Sequence, residues 1–166
     1  MRVNTANRGM AFEELVEYSN RQYAEKGWAS IQKVATPWKV VRRGKQIVSA
    51  FPEKKSTVDF VGVANGRAIA FDAKSTRERT RFPLANIEQH QMDFLERFQD
   101  QGGIGFFLVE FAKHHEFYII PFTNMNEYWE RARAGGRKSI PYDDMFLFEK
   151  VKSGRGIALD YLAKLV

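Results

Sequence analysis

The chain has no cysteine among its 166 residues. That absence excludes disulfides, thiolate zinc sites and a cysteine nucleophile, and it fits a reducing compartment such as the cytoplasm. No stretch is both long and apolar enough to span a bilayer, which sets membrane functions aside. The opening residues, Met1-Arg2-Val3-Asn4-Thr5-Ala6-Asn7, lack the apolar segment of a signal peptide. Histidine is scarce: His90, His114 and His115 have no spacing that matches a metal site and read as structural or surface groups. Repeats, low-complexity stretches and a dividing linker are also missing, so residues 1–166 are expected to form one domain with a real core.

What is present is charge of one sign. Lysine and arginine number 26 against 20 aspartates and glutamates, a net +6. Such a balance favours a polyanionic partner, nucleic acid before membrane; a basic surface without an anionic partner is the plainer alternative. A hydrophobic fraction of 44% and an aromatic fraction of 14% place the chain among globular proteins.

The most informative segment runs from Val58 to Lys74. Asn65-Gly66 sits between two apolar runs, the strongest short-range hairpin signal, because a type I′ turn needs positive φ at both central residues. With those two residues in the turn and no bulge, facing pairs sum to 131, so Asp59 faces Asp72. Facing Cβ atoms lie ~5 Å apart. Two carboxylates that close in a sheet interior repel each other, and a divalent cation between them removes the penalty. Lys74, two residues past Asp72, falls on the same face. Val61, Val63, Ala68 and Ala70 share that face, and Val58, Phe60, Ile69 and Phe71 take the other. Strands apolar on both sides are central strands. The plainer reading is a solvated acid pair with Lys74 merely neutralising Asp72.

Elsewhere the spacing predicts a helix over 10–26 ended by Gly27, and a strand over 29–34 broken by Thr36-Pro37-Trp38. Val40-Val41 and Ile47-Val48 around Arg42-Arg43-Gly44-Lys45 predict a second hairpin with a basic tip, expected to project. Residues 75–81 read as a polar loop carrying Arg77, Arg79 and Arg81. A helix follows over 84–98, with Ile87, Gln91, Phe94, Leu95 and Phe98 along one stripe. Two apolar strands are expected over 104–111 and 116–121, a helix over 123–134 with Asn124 as an alternative cap, a basic turn at Gly135-Gly136-Arg137-Lys138, and a terminal helix over 160–166.

Several blocks carry a resemblance: Asn7-Arg8-Gly9-Met10-Ala11-Phe12-Glu13-Glu14, Thr36-Pro37, Ser56-Thr57-Val58-Asp59, Phe71-Asp72-Ala73-Lys74, Phe82-Pro83-Leu84, His90-Gln91 and Gly135-Gly136-Arg137-Lys138-Ser139-Ile140. In this order they resemble the PD-(D/E)xK nuclease superfamily, and within it the RecU-type Holliday-junction resolvases of Gram-positive bacteria and their phages. The resemblance implies an α/β fold, a restriction-endonuclease-like mixed central sheet flanked by helices, with residues 38–55 as a protruding hairpin stalk. It also implies a homodimer that nicks opposed strands of branched DNA, a four-way junction, with Mg²⁺ or Mn²⁺ as cofactor. The dimer contact would use the strand over 104–111 or the N-terminal helix.

On that resemblance Asp59, Asp72, the backbone carbonyl of Ala73 and Glu13 would hold the metal. Lys74 would orient the attacking water, and Gln91 would support the lysine or the phosphate. Glu13 reads equally as a residue favoured by the helix dipole, and Gln91 as an ordinary boundary residue. Arg8, Arg42, Arg43, Lys45, Lys54, Lys55, Arg77, Arg79 and Arg81 are candidate DNA contacts, persuasive as clusters rather than singly. Trp38, Phe51 and Tyr142 are candidates for base stacking or for core packing. Two positions depart from the pattern: Asp72 stands where RecU enzymes usually carry glutamate, and Val58 where the superfamily has proline. The stalk is also shorter than in typical bacterial members. Rival readings are a restriction- or repair-type nuclease on other DNA structures, an RNA-directed nuclease, and a non-catalytic DNA-binding protein on the same fold.

Overall fold

The computed structural model describes residues 6–55 and 57–166, and side chains from residue 11 onward. The Arg8 side chain and Ser56 therefore lie outside the described residues. The core is a mixed six-stranded sheet. Its strands are β1 (Ala29–Lys33), β4 (Phe60–Ala64), β5 (Arg67–Thr76), β7 (Ile104–Phe111), β8 (Glu116–Pro121) and β10 (Glu149–Val151), side by side in that order. Only β5 and β7 run parallel; the helix α2 (Gln89–Asp100) lies in the crossover that joins them. The two remaining ribbons are β2 (Trp38–Arg43) with β3 (Gln46–Pro52), and β6 (Arg81–Pro83) with β9 (Ser139–Pro141).

The Asn65-Gly66 turn sets the centre of the sheet. Both residues have positive φ, 48° and 74°, as a type I′ turn demands. The ladder then pairs Ala64 with Arg67 through Phe60 with Phe71, the register read from the sequence. Facing pairs place Phe60, Phe71 and Phe106 in a row across β4, β5 and β7, with ring centroids 4.9 and 4.7 Å apart. That stacked row anchors one apolar layer, closed by Phe12, Val16 and Tyr23 of α1 (Ala6–Glu25) and by Leu159, Tyr161 and Leu162. The opposite face packs Ala70, Phe107 and Val109 against Met92 and Leu95 of α2, Met125 of α3 (Phe122–Arg133), and the β6–β9 ribbon.

Several expectations are corrected. The helix over 84–98 begins only at Gln89. Leu84–Asn86 is a separate 3-10 turn, and Ile87 and Glu88 are extended. Leu84 and Ile87 are buried, so their apolar spacing mimics a helical stripe. The helix α3 starts one residue early at Phe122 behind Pro121, and Asn124 does not cap it. Residues 160–166 form turns, not a helix: the Ala163 N–H donates to the Asp160 oxygen and the Leu165 N–H to the Leu162 oxygen, while Tyr23 and Arg155 hold the Asp160 carboxylate and the Tyr23 hydroxyl accepts the Leu162 N–H. The strand β5 continues to Thr76 into the expected loop. Val58 precedes β4 and turns to the α2 side with Ala70, away from Phe60. The strand over 104–111 is interior, paired on both sides, with Phe106 to Val109 fully buried, so it offers no dimer surface.

Residues 38–52 form the β2–β3 hairpin, its strands exposed along their whole length, with Gly44 (φ 61°) in its tip turn.

Gly62 is where the sheet has no slack. A Cβ there would lie 2.0 Å from the Ser30 carbonyl oxygen and 2.6 Å from Ile31 Cα, both backbone of β1. Gly62→Ala is expected to destabilise the fold by about 3 kcal/mol or more in urea unfolding. Gly27→Ala, at a positive-φ position in open space, is expected to cost only about 1 kcal/mol. Equal costs would contradict the tight β1–β4 approach.

Candidate active site

Asp59 and Asp72 meet at the open end of the β4–β5 hairpin, one pair beyond its last ladder rung. There the carboxylates replace the ladder. The Asp59 N–H donates to Asp72 Oδ1 at 3.0 Å, and the Ala73 N–H donates to Asp59 Oδ2 at 3.2 Å. On the other side Val34 N–H donates to the Asp59 carbonyl at 2.7 Å, tying the site to the end of β1. Asp72 is fully buried. A buried carboxylate needs donors, and Asp72 Oδ2 has two more. Lys74 Nζ lies 2.8 Å away and Gln91 Nε2 donates at 3.0 Å.

Gln91 is aimed by its helix. Its Oε1 accepts the Glu88 N–H at 2.9 Å, one half of a capping box in which the Glu88 side chain accepts the Gln91 backbone N–H. With its oxygen committed, the amide can present only its NH₂ to Asp72. The sequence pointed to Gln91, but not to Glu88; the four-residue run Glu88-Gln89-His90-Gln91 was the available signal, with glutamate in place of the usual serine or threonine cap.

The electrostatics are those of a like-charge pair. Burial first, then the charge of Asp72, pushes Asp59 up to about 6. A cleft of about 250 Å³ reaches Asp59 of this pair, and Thr36, Pro37, Lys54, Lys55 and Gln91 are among its other walls. The expected basic pair, Lys54 and Lys55, therefore shares this cleft with Asp59. A larger cavity, about 790 Å³, lies at the other end of the hairpin beside Trp28, Asn65 and Arg155; no aspartate or glutamate is among its lining residues, so it lacks the paired side-chain acids.

Other expected residues are placed elsewhere. Glu13 is not gathered with the pair: it accepts from Lys33 Nζ at 2.6 Å, and among the described residues no three acidic or imidazole groups cluster closely enough to share a metal. Arg42, Arg43 and Lys45 are exposed at the stalk tip. Arg77 and Arg79 are exposed in residues 77–80, whereas Arg81 opens β6 and pairs with Glu78. That short loop is fastened by its carbonyls. His114 Nε2 meets the Arg79 oxygen at 2.7 Å, and the Tyr142 N–H donates to the Thr80 oxygen at 2.8 Å. Tyr142 stacks on His114 with ring centroids 4.0 Å apart and gives its hydroxyl to Glu116, so it is committed inside the molecule. Glu116 also accepts from Tyr118 and Lys150; although desolvation raises it, these hydrogen bonds win and hold its carboxyl at about 2. Trp38 and Phe51 remain exposed on the stalk.

A mixed α/β sheet flanked by helices, with two facing acids and a lysine two residues on, defines the restriction-endonuclease-like class of nucleases. Within it, the family model described as Recombination protein U (RecU) matches residues 7–166, and the chain belongs to that family. It is 37% identical to the Holliday junction resolvase RecU of Oenococcus oeni, over 98% of this chain and 86% of that one. To the RecU resolvase of Levilactobacillus brevis it is 39% identical, over 84% of this chain and 72% of the relative. The solved Holliday junction resolvase Hjc of Archaeoglobus fulgidus is similar at a TM-score of 0.46 and 13% identity, over 80% of this chain and 93% of that one.

The raised Asp59 carboxyl makes a signed prediction. A carboxyl lifted from 3.8 to about 6 favours the protonated folded state. Its stabilising contribution is full below about pH 4 and is lost as pH rises through 6. In metal-free buffer, Asp59→Asn is expected to be more stable than wild type at pH 8, by on the order of 1–3 kcal/mol. The gap should close toward pH 4 in urea melts. A gap independent of pH would show that the pair is not strained.

Proposed function

We propose that this protein is a divalent-metal-dependent endonuclease that resolves four-way DNA junctions by paired symmetric nicks, leaving 5′-phosphate and 3′-hydroxyl ends. The observation that carries the reading is the Asp59–Asp72 pair, with Lys74 and Gln91 on the buried Asp72 carboxylate and Asp59 in the wall of a cleft that Lys54 and Lys55 also line. Relatives named Holliday junction resolvase supply the substrate class.

The donor set fits a hard cation. It is oxygen-only, and among the described residues no hydrogen bond reaches Asp59 Oδ1. Asp59, Asp72 and the Ala73 carbonyl would hold Mg²⁺, with Mn²⁺ able to substitute. A bound divalent ion would supply charge on the scissile phosphate and a more acidic water. Glu13 would join this set only by leaving Lys33.

The chain's own groups do the rest. Lys74, only partly exposed and held at Asp72, places a positive charge where the phosphate gains negative charge and where a water can be oriented. Gln91 keeps Asp72 from rotating. Lys54 and Lys55 draw the backbone into the cleft. Arg77, Arg79 and Arg81, with Arg8 on the first helix, would hold an arm of the junction. Arg42, Arg43 and Lys45 would meet its centre. Two active sites on opposed strands call for an isologous homodimer. Among the described residues the stalk's Trp38, Val41, Ile47, Val48 and Phe51 remain exposed, and a two-stranded hairpin is marginal on its own. The enzyme would act on DNA in the cytoplasm.

Cleavage of a labelled four-way junction beside a linear duplex of matched sequence tests this. Paired nicks on the junction are expected with Mg²⁺ or Mn²⁺ and none with EDTA. Asp72→Ala and Lys74→Ala should each lower the rate at least about 100-fold while keeping the fold. Equal cutting of the duplex would make it a general nuclease. Tight junction binding without cutting under either metal would leave a binding protein.

A further inference from the structure

We propose that Arg137 and Lys138 form a second backbone-contact site, separate from the cleft and the stalk, that binds the phosphates of a double-stranded DNA arm. The site rests on the nuclease reading above and adds residues that the reading does not use.

The first observation is how much structure is devoted to aiming this dipeptide. The helix α3 ends in a Gly135-Gly136 turn, in which the Gly135 N–H donates to the Ala132 oxygen and the Gly136 N–H to the Arg131 oxygen at 2.9 Å. Gly135 has φ 92°, and a Cβ on Gly136 would sit 2.7 Å from the Arg131 oxygen, so both positions require glycine. The turn delivers Arg137 and Lys138 to the start of β9, where Ser139 pairs with Pro83 and Ile140 with Phe82. Phe82 and Ile140 are fully buried beneath the ribbon, so its backbone is fixed, while Arg137 and Lys138 are exposed. The Lys138 carbonyl accepts the Leu84 N–H at 3.1 Å, and Arg137 Nε donates to the buried Ser139 hydroxyl at 3.1 Å. That bond uses Nε alone, and among the described residues no hydrogen bond engages the two terminal nitrogens of this exposed guanidinium.

The second observation is charge pairing. On the other side of the glycine turn, Arg131 pairs with Glu127 and Arg133 with Glu130. Among the described residues, neither Arg137 nor Lys138 meets a carboxylate, and neither do Arg77 and Arg79 on the loop that β6 continues. Uncompensated charge on a rigid surface is what a phosphate backbone rewards, because each neutralised phosphate releases counterions. The ribbon also belongs to the acid side of the sheet. Phe82, Leu84, Ile87 and Ile140 share one cluster with Val58 and Ala70, and Leu84 leads through the 3-10 turn to Glu88 and Gln91.

The test is equilibrium binding of a fluorescent four-way junction and of a linear duplex to the full chain, in EDTA, from 50 to 300 mM salt. Arg137→Ala/Lys138→Ala is expected to weaken binding to both DNAs and to lower the slope of log K against log salt by about 1.8, two phosphates' worth. The control Arg131→Ala/Arg133→Ala, at the neutralised pairs, is expected to leave the slope unchanged. Arg137→Gln/Lys138→Gln gives the same readout should the alanine pair disturb the turn, with thermal melts checking the fold. A wild-type slope in the double variant, or an equal loss in the control, overturns the site. Failure of the wild-type chain to bind either DNA overturns the nuclease reading instead, and the ribbon with it.

Discussion

The exchange of hydrogen bonds between Asp59 and Asp72 is the constraint on which the rest of the site depends. Each carboxylate accepts a backbone N–H from the opposite strand, so the acids do structural work at the point where the ladder stops. Their closeness therefore follows from strand pairing rather than from attraction between side chains. The energetic consequence is asymmetric. Asp72 is buried with three kinds of donor around it, while Asp59 sits at the cleft with its carboxyl pushed up to about 6, chiefly by burial. A divalent cation at such a pair would offset both the desolvation and the repulsion, which is the physical basis of the proposed metal site.

The elements around the pair serve two purposes at once. Glu88 and Gln91 cap α2, and the same bond orients the Gln91 amide toward Asp72. The crossover helix that makes β5 and β7 parallel thus also supplies the donor that fixes the acid. On the other flank the end of β1 binds the Asp59 carbonyl, and the chain then runs through Thr36-Pro37 into the stalk, whose other leg returns as Lys54-Lys55 to the cleft wall. Basic groups arrive at the acids along the same segments that hold the acids in place.

The centre of the molecule was legible because its signals are local. Asn65-Gly66 dictates positive φ at two adjacent residues, and everything from Ala64–Arg67 to Asp59–Asp72 follows by counting. What was not legible is set by partners far along the chain. Residues 160–166 have helix-compatible composition, yet Tyr23, 137 positions before Asp160, ties the Asp160 carboxylate and the Leu162 N–H to the first helix, and the segment closes in turns. Leu84 and Ile87 repeat at helical spacing but are buried through a 3-10 turn held by the Lys138 carbonyl. The short strands β9 and β10 carry three residues each, too few for periodicity to register. Strand 104–111 looked available for a partner protomer only because its neighbours, β5 and β8, cannot be assigned to its two sides from sequence. Glu13 was placed by resemblance, and the structure gives it to Lys33.

The aspartate at position 72, where a RecU enzyme usually has glutamate, has a physical reading in this geometry. The cross-strand bond from the Asp59 N–H needs Oδ1 close to its own backbone, and at 3.0 Å the short side chain meets it without leaving the strand. A glutamate at the same position would carry its carboxylate one methylene farther along the cleft, past that N–H. The oxygen gained for a ligand would then be lost to the ladder, leaving a buried donor without a partner. The shorter acid therefore shifts the site toward the strand backbone. In the proposed metal site a third oxygen, beside Asp59 and Asp72, would then come from the Ala73 carbonyl, one residue on. Lys74 lies 2.8 Å from the other oxygen of the same carboxylate, so the retraction leaves the acid–lysine contact intact.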